Sequence, residues 1–171
     1  LLDSLPIADL CESSINTNFT VLNDARLQRL VASNLKILNI SLDAATSETY
    51  RKIRGFDFDV VTKNISKLIE ARNAAGKKTP EVHMNMTLMR ANIEEAVDYV
   101  RLAVSLEADK VAFWHLNKFS DPEMAKYRID RDGWHFNYAE QGLWNFPALS
   151  NKCLREVEDE VARLGIALAL E

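Results

Sequence analysis

The chain has 171 residues, an apolar fraction of 47% and a formal net charge of −4. These values suit one globular domain, or a piece of one, and give no electrostatic reason to expect a nucleic-acid partner. Neither a membrane-length apolar run nor a signal segment is present, so we expect a cytoplasmic protein without a membrane partner. The two cysteines, Cys11 and Cys153, lack metal-ligand spacing, and we assign no metal ligand. Because the sequence opens on Leu-Leu-Asp, we treat it as part of a longer protein.

Hydrophobic periodicity predicts alternating helices and strands in the first half of the chain. Leu27, Leu30 and Val31 form one helical stripe, and either Asn23 or Asp24 is placed to cap that helix. Gly76 suits the position after a long helix, where a left-handed backbone costs glycine little. The predicted elements are a helix over 1–10, a strand over 12–18, a helix after 24, a strand over 36–43, and helices over 47–53 and 58–75.

The second half continues the same alternation. Clean period-two alternation predicts a strand over 81–88, and Asn92 with Glu95 predicts a capping box for a helix over 93–106. A strand over 110–116 follows. Ser150 is the expected N-cap of the next helix, Gly165 ends that helix, and a last strand covers 166–170.

Strands that alternate with helices, with no hairpin between them, predict an α/β fold of parallel (β/α) units. Two strands carry one polar face each: Asn39, Ser41 and Asp43 on one, and His83, Asn85 and Thr87 on the other. An open parallel sheet is covered by helices on both faces and is therefore apolar on both. A barrel lumen that holds a polar ligand explains these strands better, and no glycine-rich nucleotide-binding loop supports the open sheet.

The segment 117–149 is long for a strand-to-helix connection and holds seven of the fourteen aromatic residues. We treat it as an aromatic-rich insertion in a single domain over 1–171. It forms either a wall of the substrate pocket, in contact with a peptide, or an insertion that packs on its own aromatic rings.

Several motifs together resemble the radical S-adenosylmethionine (SAM) enzymes, particularly the molybdenum-cofactor-biosynthesis-like and SPASM-type members. Thr17-Asn18 with Leu22 is similar to the family's T-N-G…L strand, and Ile40-Ser41-Leu42-Asp43 to its I-S-L-D strand. The phrase Tyr50-Arg-Lys-Ile-Arg54-Gly55, followed by Phe58 and Asn64-Ile65, resembles Y-x-x-I-R-G…F-x-x-V…N-I. The similarity covers about 13–117.

The resemblance implies the C-terminal portion of a partial TIM-like barrel whose parent enzyme binds SAM at a [4Fe–4S] cluster. The parent would cleave SAM reductively to a 5′-deoxyadenosyl radical and abstract hydrogen from a small-molecule or peptide substrate. The family's Cys-x-x-x-Cys-x-x-Cys is absent, so the cluster ligands are expected upstream, in a missing N-terminal part of the barrel. The fragment alone should be inactive, and the strand near Ile15 should be an unpaired edge. Phe19 replaces the T-N-G glycine, so we expect either a different turn there or an altered approach of the substrate.

The resemblance also implies roles for individual residues, while the catalytic residues remain unknown. Ser41 matches the serine that hydrogen-bonds SAM, and Arg54 the arginine that pairs with its carboxylate. Asp43 orients Arg54, caps the next helix or contacts the ligand. The other implied cofactor contacts are Asn85 and Leu116, and the implied substrate contacts are Thr17, Asn18, His83 and His115. Asn18 either lines the pocket or is an Asx-turn residue that closes the loop after the first strand.

Two other interpretations stay open. The first is a non-catalytic (β/α) binding or scaffold module descended from this barrel, with the cluster lost. The second is an unrelated barrel enzyme for a small anionic metabolite.

Overall fold

A computed structural model describes residues 13–131 and 134–170, and within these it describes no side chain for residues 131 and 134. The predicted helix over 1–10 and Cys11 lie outside the described residues. None of the helices in the described ranges is both long enough and apolar enough to cross a bilayer.

Five parallel strands form the main sheet, and all five were predicted with boundaries close to those observed. The strands are β1 (Ser14–Thr17), β2 (Ile37–Ser41), β3 (Glu81–Leu88), β4 (Lys110–His115) and β7 (Ala167–Leu170). Hydrogen-bonded neighbours follow the order β1-β2-β3-β4-β7, with β1 and β7 at the two edges.

The helices begin and end at residues whose chemistry suits those positions. The side chains of Asn23, Thr46 and Asp57 accept hydrogen bonds from the first turns of their helices. Gly76 and Gly165, which follow two of the helices, have φ of 68° and 73°. The principal helices are α1 (Asp24–Ala32), α2 (Ser47–Arg54), α3 (Phe58–Ala74), α4 (Ala96–Ser105) and α7 (Pro147–Leu164).

The strand order decides between the two predicted architectures. Right-handed crossovers between parallel strands that pair in chain order place the connecting helices on one side of the sheet. In a doubly wound sheet the order reverses, and helices cover both faces. The order observed here is sequential throughout the sheet. The fold is therefore a partial (β/α) barrel, as predicted.

The two faces of the sheet differ as a barrel requires. Val82, Met84, Met86 and Leu88 of β3 are fully buried or nearly so, and they pack in the core under the helices. The alternate residues of β3, Asn85 and Thr87, are only half-buried and point to the lumen side.

Two local predictions in the second half of the chain are wrong. The segment after β4 contains an antiparallel hairpin, so the alternation of strands and helices is interrupted. Ser150 does not cap a helix: α7 begins at Pro147, and Ser150 is a buried residue of its first turn. Proline suits the first helical position because it has no N–H to leave unpaired. The insertion contains α5 (Asp121–Met124), β5 (Arg128–Arg131), β6 (Trp134–Asn137) and α6 (Tyr138–Gln141).

Candidate SAM-binding site

A row of side chains crosses the lumen face of the sheet near the carboxyl ends of the strands. Strand register aligns Ser41 with Asn85, Asn85 with Ala112, and Ala112 with Ala169. Neighbouring strands lie about 4.8 Å apart, so the row extends about 14 Å across the sheet. The polar residues occupy one end of the row, and two small residues, Ala112 and Ala169, occupy the other end.

Asn85 carries an unsatisfied polar atom in this row. Its Oδ1 is buried and has no hydrogen-bond partner among the described residues. A buried carbonyl oxygen without a hydrogen-bond partner costs about 1–3 kcal/mol, so such atoms are rare in folded proteins. Where one occurs, a partner from outside the protein is the usual explanation. The position therefore suits contact with a ligand donor.

Asp43 and Arg54 form an ion pair where β2 leads into α2. Oδ2 of Asp43 contacts both Nε and Nη2 of Arg54. The Asp43 side chain is 4% exposed, whereas that of Arg54 is 35% exposed. Of the three roles considered for Asp43, the structure shows the orientation of Arg54. Asp43 does not cap α2, because Thr46 accepts the hydrogen bond from Thr49 N.

Asp43 is itself held by two neighbours. Its Oδ1 accepts a hydrogen bond from Thr87 N at 2.7 Å. The Asn92 side-chain amide donates to Asp43 O and Thr87 O, both at 2.9 Å, and Asn92 Oδ1 accepts from Met89 N at 2.8 Å. The predicted capping box of Asn92 with Glu95 is therefore wrong, because the Asn92 side chain joins β2 to β3 instead of capping a helix.

Glu95 accepts four hydrogen bonds from the start of α2, a role that sequence reasoning missed. Oε2 accepts from Ala45 N at 2.8 Å and from Thr46 N at 3.2 Å. Oε1 accepts from the hydroxyls of Thr46 at 2.9 Å and Thr49 at 2.5 Å. These partners lie 46–50 residues away in the chain, so no local pattern could have identified them.

Two buried tyrosines lie close enough to the Asp43–Arg54 pair to sense its charges. Neither Tyr50 OH nor Tyr99 OH has a partner among the described residues. Burial raises the pKa of Tyr99 well above its ordinary value, and the negative charge of Asp43 raises it further. Burial also raises the pKa of Tyr50, while the charge of Arg54 opposes that shift. Both tyrosines are therefore neutral at physiological pH.

The corner after β1 is held by local hydrogen bonds, and of the two interpretations of Asn18 the structure shows the one in which it closes the loop. Register places Thr17 beside Ile40, on the helix-covered face, and its Oγ1 accepts a hydrogen bond from Phe19 N at 3.0 Å. Asn18 Oδ1 accepts from the hydroxyl of Thr20 at 3.2 Å, which closes the loop locally. Phe19 has φ of 52°, so it keeps the left-handed conformation that a glycine would adopt. The backbone at this corner is therefore left-handed although residue 19 is a phenylalanine.

The two predicted histidines lie far apart. His83 is buried near the start of β3, where its Nε2 lies 3.1 Å from Glu81 Oε2. His115 is exposed at the end of β4, opposite Leu88, which is five residues beyond His83. That separation is about 16 Å along the strands, too far for one metal ion. Leu116, the residue after His115, is half-buried beyond the end of the strand.

The insertion packs largely on its own aromatic rings. Tyr138 lies 5.8 Å from Phe119, 5.7 Å from Tyr127 and 6.5 Å from Phe136, measured between ring centroids. Its hydroxyl donates to Asn117 O at 2.8 Å. Phe119 and Tyr127 nevertheless remain 42% and 56% exposed, as does Trp114 of β4 at 42%. An exposed aromatic surface thus extends from the end of β4 onto the insertion.

The geometry defines a partial (β/α) barrel with a polar site at the carboxyl ends of its strands, where such barrels place their ligands. No family model matches the chain. It is 33% identical over 124 residues to a probable GTP 3′,8-cyclase of Methanosarcina mazei, covering 71% of this chain and 35% of that protein. A probable GTP 3′,8-cyclase of Saccharolobus solfataricus is 31% identical over 99 residues, covering 57% of this chain and 30% of that protein.

Solved structures show the same fold at low sequence identity. Streptococcus suis SuiB bound to S-adenosylmethionine matches with a TM-score of 0.65 and 15% identity, over 94% of this chain and 33% of that one. The complex of SuiB with its precursor peptide SuiA gives 0.66 and 16%, over 94% and 32%. The structure of anSMEcpe with bound AdoMet gives 0.58 and 14%, over 92% and 39%.

The cyclase relatives and the structural neighbours are radical SAM enzymes, so the chain is similar in sequence and in fold to members of the radical SAM superfamily. The chain spans about a third of the length of the curated relatives that it matches.

Proposed function

We propose that this chain supplies the SAM-binding and substrate-facing part of a radical SAM enzyme. The observation that carries the proposal is the Asp43–Arg54 pair, in which Asp43, two residues after Ser41, holds a guanidinium whose side chain is 35% exposed. SAM has a carboxylate, an ammonium group and ribose hydroxyls, and this set of side chains offers a partner for each.

Arg54 can hold a carboxylate while it stays paired with Asp43. A guanidinium has five N–H donors in a fixed fork, and Asp43 contacts only Nε and Nη2. The two donors on Nη1 and the second donor on Nη2 remain for a ligand. Hydrogen bonds between charged groups are shorter and stronger than neutral ones, so the SAM carboxylate is the group that this fork would bind best.

Ser41 and Asn85 fit the remaining polar groups of SAM. The Ser41 hydroxyl, which has no hydrogen-bond partner within the described residues, can both donate and accept. The unpartnered Asn85 Oδ1 accepts only, which suits an ammonium or ribose hydroxyl donor. In this arrangement the amino-acid end of SAM would lie over β2 and β3, and the adenine toward Ala112 and Leu116.

The residues of this chain do not fit a [4Fe–4S] cluster. Such clusters are held by several cysteine thiolates, and the sequence contains only Cys11 and Cys153. Cys153 is buried on α7, where burial raises the pKa of its thiol and disfavours the thiolate. We therefore propose that the cluster ligands come from residues outside this chain. A cluster held there would supply the electron that cleaves bound SAM to a 5′-deoxyadenosyl radical, and this chain would supply the contacts to SAM.

For the substrate we propose a peptide or a small molecule that enters over the exposed aromatic surface of Trp114, Phe119 and Tyr127. Register with Thr87 places Trp114 on the lumen face, at the carboxyl end of β4. The structure of SuiB with a precursor peptide supports a peptide substrate by analogy of fold, and the name of the cyclase relatives supports a small molecule.

Calorimetric titration of SAM into the full-length protein tests the proposal. Arg54→Gln should weaken SAM binding by about 10- to 100-fold, the equivalent of one charged hydrogen-bond pair at 1.5–3 kcal/mol. Arg51→Gln is the matched control, because Arg51 is exposed on the same helix. Wild-type affinity in the Arg54 variant, or no SAM binding by the wild-type protein, would contradict the proposal.

A further inference from the structure

Helix α2 has only eight residues, so its own hydrogen bonds cannot fix its position. Isolated helices of this length are marginal in water, and tertiary contacts must hold them. Arg54 is the last residue of α2, so a shift of the helix moves the guanidinium. The contacts of α2 with the rest of the fold, at its two ends and through the buried Tyr50, therefore determine where Arg54 lies.

Glu95 holds the first end. Its carboxylate accepts the four hydrogen bonds from Ala45, Thr46 and Thr49 described above, two from backbone N–H groups and two from hydroxyls. The carboxylate lies at the amino end of α2, where the helix dipole favours a negative charge. One side chain thus satisfies backbone donors that a short helix would otherwise leave unpaired.

The same short segment also holds the connection from β2. Asn92, three residues before Glu95, donates to Asp43 O at 2.9 Å. Asn92 and Glu95 therefore contact the two sides of the loop 43–46, whose first residue binds Arg54. Asn92 and Glu95 have the spacing of a capping box, but here Asn92 binds the first residue of the loop and Glu95 binds its last two.

We propose that Glu95 is a positioning residue for the ligand carboxylate, acting through α2 on Arg54. This inference rests on the proposed binding of the SAM carboxylate by Arg54. Loss of the Glu95 charge would release the start of α2, and Arg54 would occupy its binding position for a smaller fraction of the time. Apparent affinity falls in proportion to that fraction, but only for ligands that use Arg54.

The test compares SAM with decarboxylated SAM, which lacks the group that Arg54 would bind. Dissociation constants for both ligands are measured by calorimetry on the full-length protein. Wild type should prefer SAM, and Glu95→Gln should reduce that preference by at least about threefold, as expected if Arg54 is in position a third of the time. Glu94→Gln is the matched control, since Glu94 is exposed and pairs with Arg90. Thr49→Val removes one of the four bonds and should reduce the preference less.

Hydrogen exchange without any ligand provides a second readout. Amides of 45–54 should exchange faster in Glu95→Gln than in wild type, with little change in β3 or α7. A variant that loses affinity for both ligands equally, or that keeps wild-type exchange in 45–54, overturns the inference while the Arg54 assignment stands. If wild type shows no preference for SAM over decarboxylated SAM, the Arg54 assignment fails and this inference fails with it.

Discussion

Phe19 is a buried aromatic residue in a backbone conformation that normally belongs to glycine. Its φ is 52°, its side chain is 5% exposed, and its carbonyl accepts a hydrogen bond from Asn64 Nδ2 at 2.9 Å. The ring thus packs in the core while the backbone keeps the left-handed turn. Truncating the ring should cost about 3–5 kcal/mol of unfolding free energy, whichever small residue replaces it.

The more specific prediction is which of two variants, Phe19→Gly or Phe19→Ala, is the more stable. A left-handed conformation costs alanine about 1–2 kcal/mol and costs glycine almost nothing. Glycine loses about 0.4–1 kcal/mol more entropy on folding, which partly offsets this advantage. Phe19→Gly should therefore be more stable than Phe19→Ala by about 0.5–1 kcal/mol.

Urea unfolding of both variants in the same background measures this difference. Ala162→Gly is the control, because Ala162 is an exposed interior residue of α7, where glycine should be worse than alanine by about 1 kcal/mol. An alanine variant at position 19 that is as stable as the glycine variant, or more stable, would refute the left-handed turn.

Two further predictions concern ion pairs away from the site. Arg72, which is 4% exposed, donates to Pro80 O at 3.0 Å and pairs with Asp109. Arg72→Met should cost about 2 kcal/mol, because Pro80 O loses this donor and Asp109 keeps only its hydrogen bond from Val82 N; a change in urea stability below about 0.5 kcal/mol would contradict this. Hydrogen bonds from Arg163 and Arg101 lower the pKa of Glu160 to about 2. The stabilisation by Glu160 should be complete above pH 5 and be lost as the pH falls toward 2. The difference in thermal midpoint between wild type and Glu160→Gln should therefore disappear over that range. Glu158→Gln, at an exposed position of the same helix, is the control, and its difference from wild type should not change in this way.

Most of the fold follows from patterns that are local in the chain. The bounds of β3 were predicted without error, because period-two alternation is strong when one face is buried and the other is polar. The same alternation favoured a barrel, which the sequential strand order confirms. Gly76 and Gly165 marked helix ends because the left-handed conformation selects glycine.

The wrong capping-box prediction came from side chains that form hydrogen bonds with distant residues instead of local ones. Asn92 and Glu95 have capping-box spacing, but Asn92 reaches Asp43 across 49 residues and Glu95 reaches Ala45 across 50. At Phe19, the core burial of the ring outweighs the backbone cost that favours glycine. The hairpin of β5 and β6 was missed although the sequence between the two strands, Asp132-Gly133, is a typical hairpin signal.

The central claim is that this chain forms the SAM site of a radical SAM enzyme. It is tested most directly by anaerobic incubation of the full-length, cluster-reconstituted protein with SAM and a strong reductant, followed by chromatography for 5′-deoxyadenosine. We expect 5′-deoxyadenosine in multiple-turnover or single-turnover amounts, reduced at limiting SAM in Arg54→Gln and unchanged in Arg51→Gln. A protein with a spectroscopically verified cluster that forms no 5′-deoxyadenosine, or an Arg54→Gln variant that forms it at wild-type rates, would contradict the account.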